Sequence, residues 1–177
     1  MAGSEMTVAV TIRREQPMDF VATREVNLAA FPEPAEADLV EQLRANGKAT
    51  ISLVAIHSDR VVGHILFSPA TVESSDGQVE VLALGPMAVA PELQGAGVGS
   101  LLVTTGLEQA KALGFACVVV LGHPSYYPRF GFRESSQFGI TSEYEVPAKY
   151  FMVAELEEGG LDGITGVVRY QPEFAGV

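Results

Sequence analysis

At 177 residues the chain has the length of one domain with room for a sizeable core, and a hydrophobic fraction of 47% excludes a disordered acidic chain despite a formal net charge of -11. Acidic residues outnumber basic ones by 22 to 11, which argues against a nucleic-acid partner, whose phosphates call for Lys and Arg; surface solubility explains the excess, and a cationic ligand would suit it. Cys117 is the only cysteine, so no disulfide forms within one chain and a reducing cytoplasm is expected. No apolar run approaches the roughly 18 residues of a membrane span, and the opening MAGSEMTVAV lacks the basic start and apolar stretch of a secretory signal.

In chain order, TVAVTIR (residues 7–13) reads as a strand. Asp19 is a plausible N-cap for a helix running to about Ala30 and stopped before Pro32. EADLVEQLRANG forms a second helix, with Leu39, Val40 and Leu43 on one face and Gly47 as terminator. Two β-rich runs follow, residues 49–73 and 78–90, the first folded into a hairpin at residues 57–60. Gly85-Pro86 interrupts the second run, and since proline cannot donate to a ladder, a bulge or splaying point belongs there. Val98, Leu101, Leu102, Thr105 and Leu113 mark one face of a third helix that Gly114 ends. FACVVVLG is an unbroken apolar run, typical of a parallel strand buried on both faces. Cys117 lies within it and reads as a small core hydrophobe rather than a nucleophile. Residues 79–121 are therefore a β-α-β unit, and KYFMVAEL and GVVRY supply two later strands, giving an α+β domain of mostly antiparallel strands with one parallel crossover.

Between the second β run and the third helix stands PELQGAGVGSLL, with Gly95, Gly97 and Gly99 at every second position. A loop opening a helix offers unpaired N–H groups and the positive end of the helix dipole, and glycines let the main chain approach an anion closely. A P-loop needs Lys-Ser/Thr after its last glycine, whereas Ser100-Leu101 follows Gly99. The dinucleotide fingerprint G-x-G-x-x-G is one residue longer, and its acidic residue about 20 positions on is absent. In isolation the glycines are equally explained by a tight turn.

The surrounding PMAVAPELQGAGVGSLL resembles the acetyl-coenzyme A signature of the GNAT superfamily of N-acetyltransferases, with Gln94, Gly97 and Gly99 at the three signature positions. YYPRFGF is similar to that family's Tyr-x-x-x-Gly-Phe element through Tyr127, Gly131 and Phe132, and the ordered set over residues 11–174 looks like its YhbS-like subgroup. The resemblance implies a GNAT-like mixed sheet with flanking helices and acetyl-CoA as acyl-donor cosubstrate. It implies an amine acceptor, either a small molecule or a peptide, and a homodimer is common among such proteins. By the same resemblance the N–H groups of Gly95, Ala96, Gly97, Val98, Gly99 and Ser100 cradle the coenzyme diphosphate, while Met87, Ala88 and Val89 line the pantetheine arm. A non-catalytic acyl-CoA sensor on the same fold is the alternative, and a toxin acting on charged transfer RNA is disfavoured by the net charge of -11.

Acetyl transfer needs a proton acceptor for the amine, donors for the oxygen that gains charge, and a proton donor for the departing thiolate. Tyr127 is the expected proton donor, although Pro128 biases its backbone and leaves Tyr126 as the competing tyrosine. Oxyanion donors are expected at the N–H of Met87 or Ala88, beside Gly85-Pro86. For the base, Glu80 stands in an otherwise apolar strand, but it shares the parity of Gln78 and fits a solvated face equally. His123 ends the strand leading to the tyrosines and fits a loop-capping role as well, whereas His64 has the surroundings of a core histidine. Three scattered histidines and one cysteine give no metal-ligand spacing, so no metal is expected. The acceptor is expected to be chosen by residues 32–37 and 135–147, which carry no readable motif.

Overall fold

The computed structural model describes residues 8–177. Nine strands form one sheet: β1 (Thr11–Arg14), β2 (Ile51–His57), β3 (Arg60–Ser74), β4 (Gly77–Val89), β5 (Cys117–Leu121), β6 (Arg133–Glu134), β7 (Ile140–Ser142), β8 (Phe151–Glu155) and β9 (Gly166–Arg169). The order is β1-β2-β3-β4-β5-β8-β6, with β9 pairing the outer part of β3 and then β7. Three helices flank it: α1 (Phe20–Ala30), α2 (Ala35–Ala45) and α3 (Val98–Ala112).

The central pairing, β4 with β5, is parallel and is joined by α3, so the expected β-α-β crossover lies in the middle of the sheet. β5 is buried along Cys117–Val120, as its continuous apolar run requires. The turn between β2 and β3 puts Ser58 and Asp59 at φ +48° and +61°, the two-residue hairpin geometry that follows strand twist. α3 lies over the face carrying Ile65, Phe67, Leu82, Val118 and Val120, while Leu66, of opposite parity on β3, meets Leu39 and Leu43 of α2. The two faces of one strand thus separate the α3 layer from the α2 layer.

Several local expectations are corrected. α3 buries Val98, Leu102, Val103, Gly106 and Ala110, while Leu101 and Leu113 are 45% and 59% exposed and Thr105 is half-buried. The helix seats its smallest residue, Gly106, directly on the Phe67 ring, and this close approach rotates the larger leucines outwards. Asp19 immediately precedes α1 but does not cap it: its carboxylate accepts from Arg13 Nη1 at 2.6 Å, Arg13 Nη2 at 2.9 Å and the Gln16 N–H at 2.8 Å. Arg13 holds that carboxyl below the usual range, and the pair fastens β1 to the start of α1. The first strand begins at Thr11, and residue 7 of the expected strand lies outside the described residues. β7 lies in residues 135–147, a stretch expected to be loop.

The feature that positions the site is where β4 parts from its neighbours. Its parallel pairing with β5 ends at Leu84 opposite Val120. On the other side its register with β3 shifts between Leu84 and Met87, so that Gly85 and Pro86 face a single residue, Leu66. Both a bulge and a splay therefore occur at the interruption. Beyond Leu84 the edge of β4 that faced β5 has no strand partner among the described residues, and this stretch lines a cleft.

Candidate active site

The loop after β4 descends through a 3-10 turn, Pro91–Leu93, and enters α3 at Val98. Gly95 and Gly97 have φ of +82° and +88°, a region L side chains enter only with strain. Gly99 is helical and serves differently: a Cβ there would stand 2.8 Å from the Tyr126 hydroxyl, so its absence lets the tyrosine close over the helix start. The first turn of α3 leaves the N–H groups of Val98, Gly99 and Ser100 without intrahelical partners, and among the described residues those of Gly95 and Gly97 are also unpaired. Ala96 differs, because its N–H donates to Leu93 O at 3.2 Å. Gln94 donates through Nε2 to Val89 O at 3.1 Å and ties the loop to the end of β4.

Two cavities meet along the splayed edge. One, of about 400 Å³, is walled by Met87, Ala88, Val89, Gln94, the glycine loop, Ser100 and Tyr126. Arg129 is the one charged side chain among its lining residues; its guanidinium lies 4.7 Å from the Tyr126 ring centre and its Nε donates to Tyr126 O at 3.1 Å. Unpaired amides, the helix dipole and a guanidinium make this wall electropositive, the electrostatics an anion requires.

The second cavity, of about 450 Å³, reaches the parted strands at Leu84, Gly85, Pro86 and Val120 and contains Tyr127. Phe31 and Met87 belong to the walls of both cavities and mark their junction. Its outer wall is aromatic, with Tyr144, Tyr170 and Phe174, and Glu36 is its one charged side chain.

The two tyrosines therefore divide between the cavities. Their rings meet edge to face at 5.1 Å, with Tyr126 on the loop side and Tyr127 on the strand side. Pro128 prevents a regular helix, and a 3-10 turn, Tyr127–Phe130, sets this alternation. Tyr127 is 9% exposed, packs edge-on to Phe132 at 5.5 Å and presses on Gly122, where a Cβ would stand 2.3 Å from its ring. Burial pushes its phenol well above the ordinary tyrosine range, so it holds its proton at neutral pH.

The base candidates are not brought to either cavity. Glu80 pairs opposite Thr71 on the exposed stretch of β4, on the far side of the splay. His123 is exposed and its Nδ1 accepts from Ser125 Oγ at 2.8 Å, which is loop capping. His64 is fully buried and depressed to about 4 by burial. Its Nε2 lies 2.9 Å from Ser52 Oγ, whose proton goes to Glu15 Oε1 at 2.9 Å; one hydroxyl proton then requires His64 to donate through Nε2. Burial pushes the Cys117 thiol up to about 12 and makes it inert. Among the described residues no group of His, Cys, Asp or Glu is arranged to hold a metal ion, and no helix is long and apolar enough to cross a membrane. The sequence reading did not single out Arg129, Glu36, Tyr144 or Tyr170, which lie far apart in the chain and carry no spacing signal.

The family model for the acetyltransferase (GNAT) family matches residues 20–132. The chain is 34% identical over 164 residues to the uncharacterized N-acetyltransferase YhbS of Escherichia coli K12, covering 92% of this chain and 97% of that one. The crystal structure of E. coli YhbS in complex with CoA superposes with a TM-score of 0.90 at 32% identity, covering 96% of this chain and 93% of that one. A GNAT family acetyltransferase from Brucella melitensis in complex with acetyl-CoA gives a TM-score of 0.78 at 33% identity over 94% and 98% of the two chains. With the mixed sheet, the central crossover and the glycine-loop helix start all in place, the chain belongs to the GNAT family of acetyltransferases.

Proposed function

We propose that the protein transfers an acetyl group from acetyl-CoA to the primary amine of a small molecule or peptide, both substrates being bound together. The observation that carries this reading is the pair of cavities meeting at Phe31 and Met87, one walled by unpaired amides and the other containing a buried, protonated tyrosine. The diphosphate is held by the N–H groups of Gly95, Gly97, Val98, Gly99 and Ser100 with Arg129 beside it, and the pantetheine arm runs along Met87, Ala88 and Val89. The bound thioester supplies an electrophilic carbonyl carbon at the parted strands.

The amine arrives as an ammonium ion and sheds one proton to solvent water before its nitrogen adds to that carbon. The N–H of Met87 or Ala88 stabilises the oxygen that gains charge. As the carbon–sulfur bond breaks, Tyr127 gives its proton to the departing thiolate, and the nitrogen's second proton passes to the resulting phenolate, which restores Tyr127 and leaves a neutral amide. The acidic surface and the single inert cysteine support a cytoplasmic setting without a nucleic-acid partner. The test is thiol release from acetyl-CoA across a broad panel of primary amines: turnover with at least one is expected, and none with any would overturn the reading.

A further inference from the structure

The cavity containing Tyr127 is chemically lopsided. Its wall away from the strands is built from Phe31, Leu39, Tyr144, Val146, Tyr170 and Phe174. Tyr170 anchors this wall, its ring lying 5.6 Å from Tyr144 and 5.2 Å from Phe174. No lysine or arginine lines the cavity, and Glu36 of α2 is its only charged side chain. Two polar atoms in the wall, Glu36 Oε2 and the Tyr170 hydroxyl, are buried and have no hydrogen-bond partner among the described residues. Buried polar groups are paired in folded proteins with few exceptions, and a carboxylate oxygen out of water needs a donor, best a cationic one. The basic residues of α1 and α2 do not serve Glu36: Arg24 is bound to Asp38 and Glu41, and Arg44 to Glu15.

We infer that this cavity binds a compact apolar primary amine, of the arylalkyl or branched alkyl class, whose ammonium group pairs with Glu36 while its hydrocarbon body lies against Tyr144, Tyr170 and Phe174. The inference rests on the acetyl-transfer reading and narrows its acceptor. Three observations set the class. A volume of about 450 Å³ is at the small end for ligand sites and admits a ring-sized body rather than a peptide. Glu36 is the one acidic side chain in the lining, which matches a single ammonium better than the several spaced charges of a polyamine. The absence of a lining cation rejects amines that also carry a carboxylate or phosphate.

The test is calorimetric titration of 2-phenylethylamine, 2-phenylethanol and spermidine, with and without saturating coenzyme A, into the wild type and Glu36→Gln. 2-Phenylethylamine should bind at least about tenfold more tightly than either other compound, the scale of one hydrogen bond to a charged group. Glu36→Gln should remove that advantage over the alcohol, leaving 2-phenylethanol, coenzyme A affinity and melting temperature unchanged. Preference for spermidine, absence of amine binding, or equal amine affinity in Glu36→Gln would overturn the inference. Failure of the acetyl-transfer reading is separate: it would appear as absent coenzyme A binding while the amine results stood.

Discussion

Replacing Tyr127 by Phe isolates one hydroxyl. The edge contacts of its ring with Tyr126 at 5.1 Å and Phe132 at 5.5 Å, and the seat against Gly122, are all retained by Phe. The substitution removes only the hydroxyl and keeps the ring packing, so folding stability should move by no more than about 0.5 kcal/mol. Tyr127 is absent from the wall of the glycine-loop cavity, so coenzyme affinity should stay within about twofold. Turnover should fall, because a positioned proton donor contributes roughly 10² to 10⁴-fold. A thiol of ordinary pKa near 8.5 departs as thiolate more readily than an alkoxide would, which puts the loss nearer about 10². The sign of the phenol's shift adds a pH signature. Because burial raises its pKa, the donor stays protonated beyond the ordinary tyrosine value, and wild-type kcat should show no alkaline fall through pH 10. Thiol release at saturating amine, with calorimetry for the coenzyme, reads both quantities. A kcat within about threefold of wild type would refute the assignment and favour another donor; parallel loss of kcat, coenzyme affinity and melting temperature would make Tyr127 structural.

Other outcomes follow from the same coordinates. Gly106→Ala puts a methyl 2.3 Å from the ring of Phe67, which is 0% exposed and cannot withdraw; overpacking of roughly 1–3 kcal/mol exceeds the helix-propensity gain of about 1, so calorimetry should show a lower melting temperature, and a rise would contradict the packing account. Gly97→Ala meets no atom within 4 Å but must hold φ near +88°; the strain should weaken coenzyme A binding by about tenfold, and unchanged affinity would mean the αL backbone is not needed. His64 is depressed from 6.5 to about 4, so between these values the unfolded chain binds more protons and stability, full above pH 6.5, declines by up to about 3 kcal/mol as pH falls towards 4. Urea midpoints at pH 7 and 5 should converge in His64→Gln, and an unchanged gap would assign the acid sensitivity to another group.

What could be read from the chain beforehand divides by the range of the interactions. The β-α-β unit, the interruption at Gly85-Pro86 and the glycine-loop helix start are local, written in proline's missing donor, glycine's tolerance of positive φ and the unbroken apolar run of β5. Met87, Ala88, Val89 and Gln94 are legible only through the resemblance to the acetyl-coenzyme A signature. The face of α3 was misjudged at Leu101 and Leu113 because hydrophobic periodicity favours large residues, whereas the close contact is made by Gly106 on Phe67. Glu80 drew notice as a charge in an apolar run, yet only strand register shows that it stands opposite Thr71 and away from the cleft. Glu36 and Tyr144 fall in the two segments expected to choose the acceptor, residues 32–37 and 135–147, but neither was legible singly, and Tyr170 not at all, because α2, the segment after β7 and the end of β9 converge only in three dimensions. Asp19 has the identity of a helix cap, but the stronger bidentate pairing with Arg13 redirects it.

The central claim is that main-chain amides at the start of α3 grip a diphosphate, and comparing coenzyme A with pantetheine tests it most directly. The two share the thiol-bearing arm, and only coenzyme A carries the diphosphate. Calorimetric titration at neutral pH should give binding of coenzyme A at least about 10²-fold tighter than pantetheine, since several charge-assisted hydrogen bonds depend on those phosphates. Equal affinities, or no heat from coenzyme A, would contradict it.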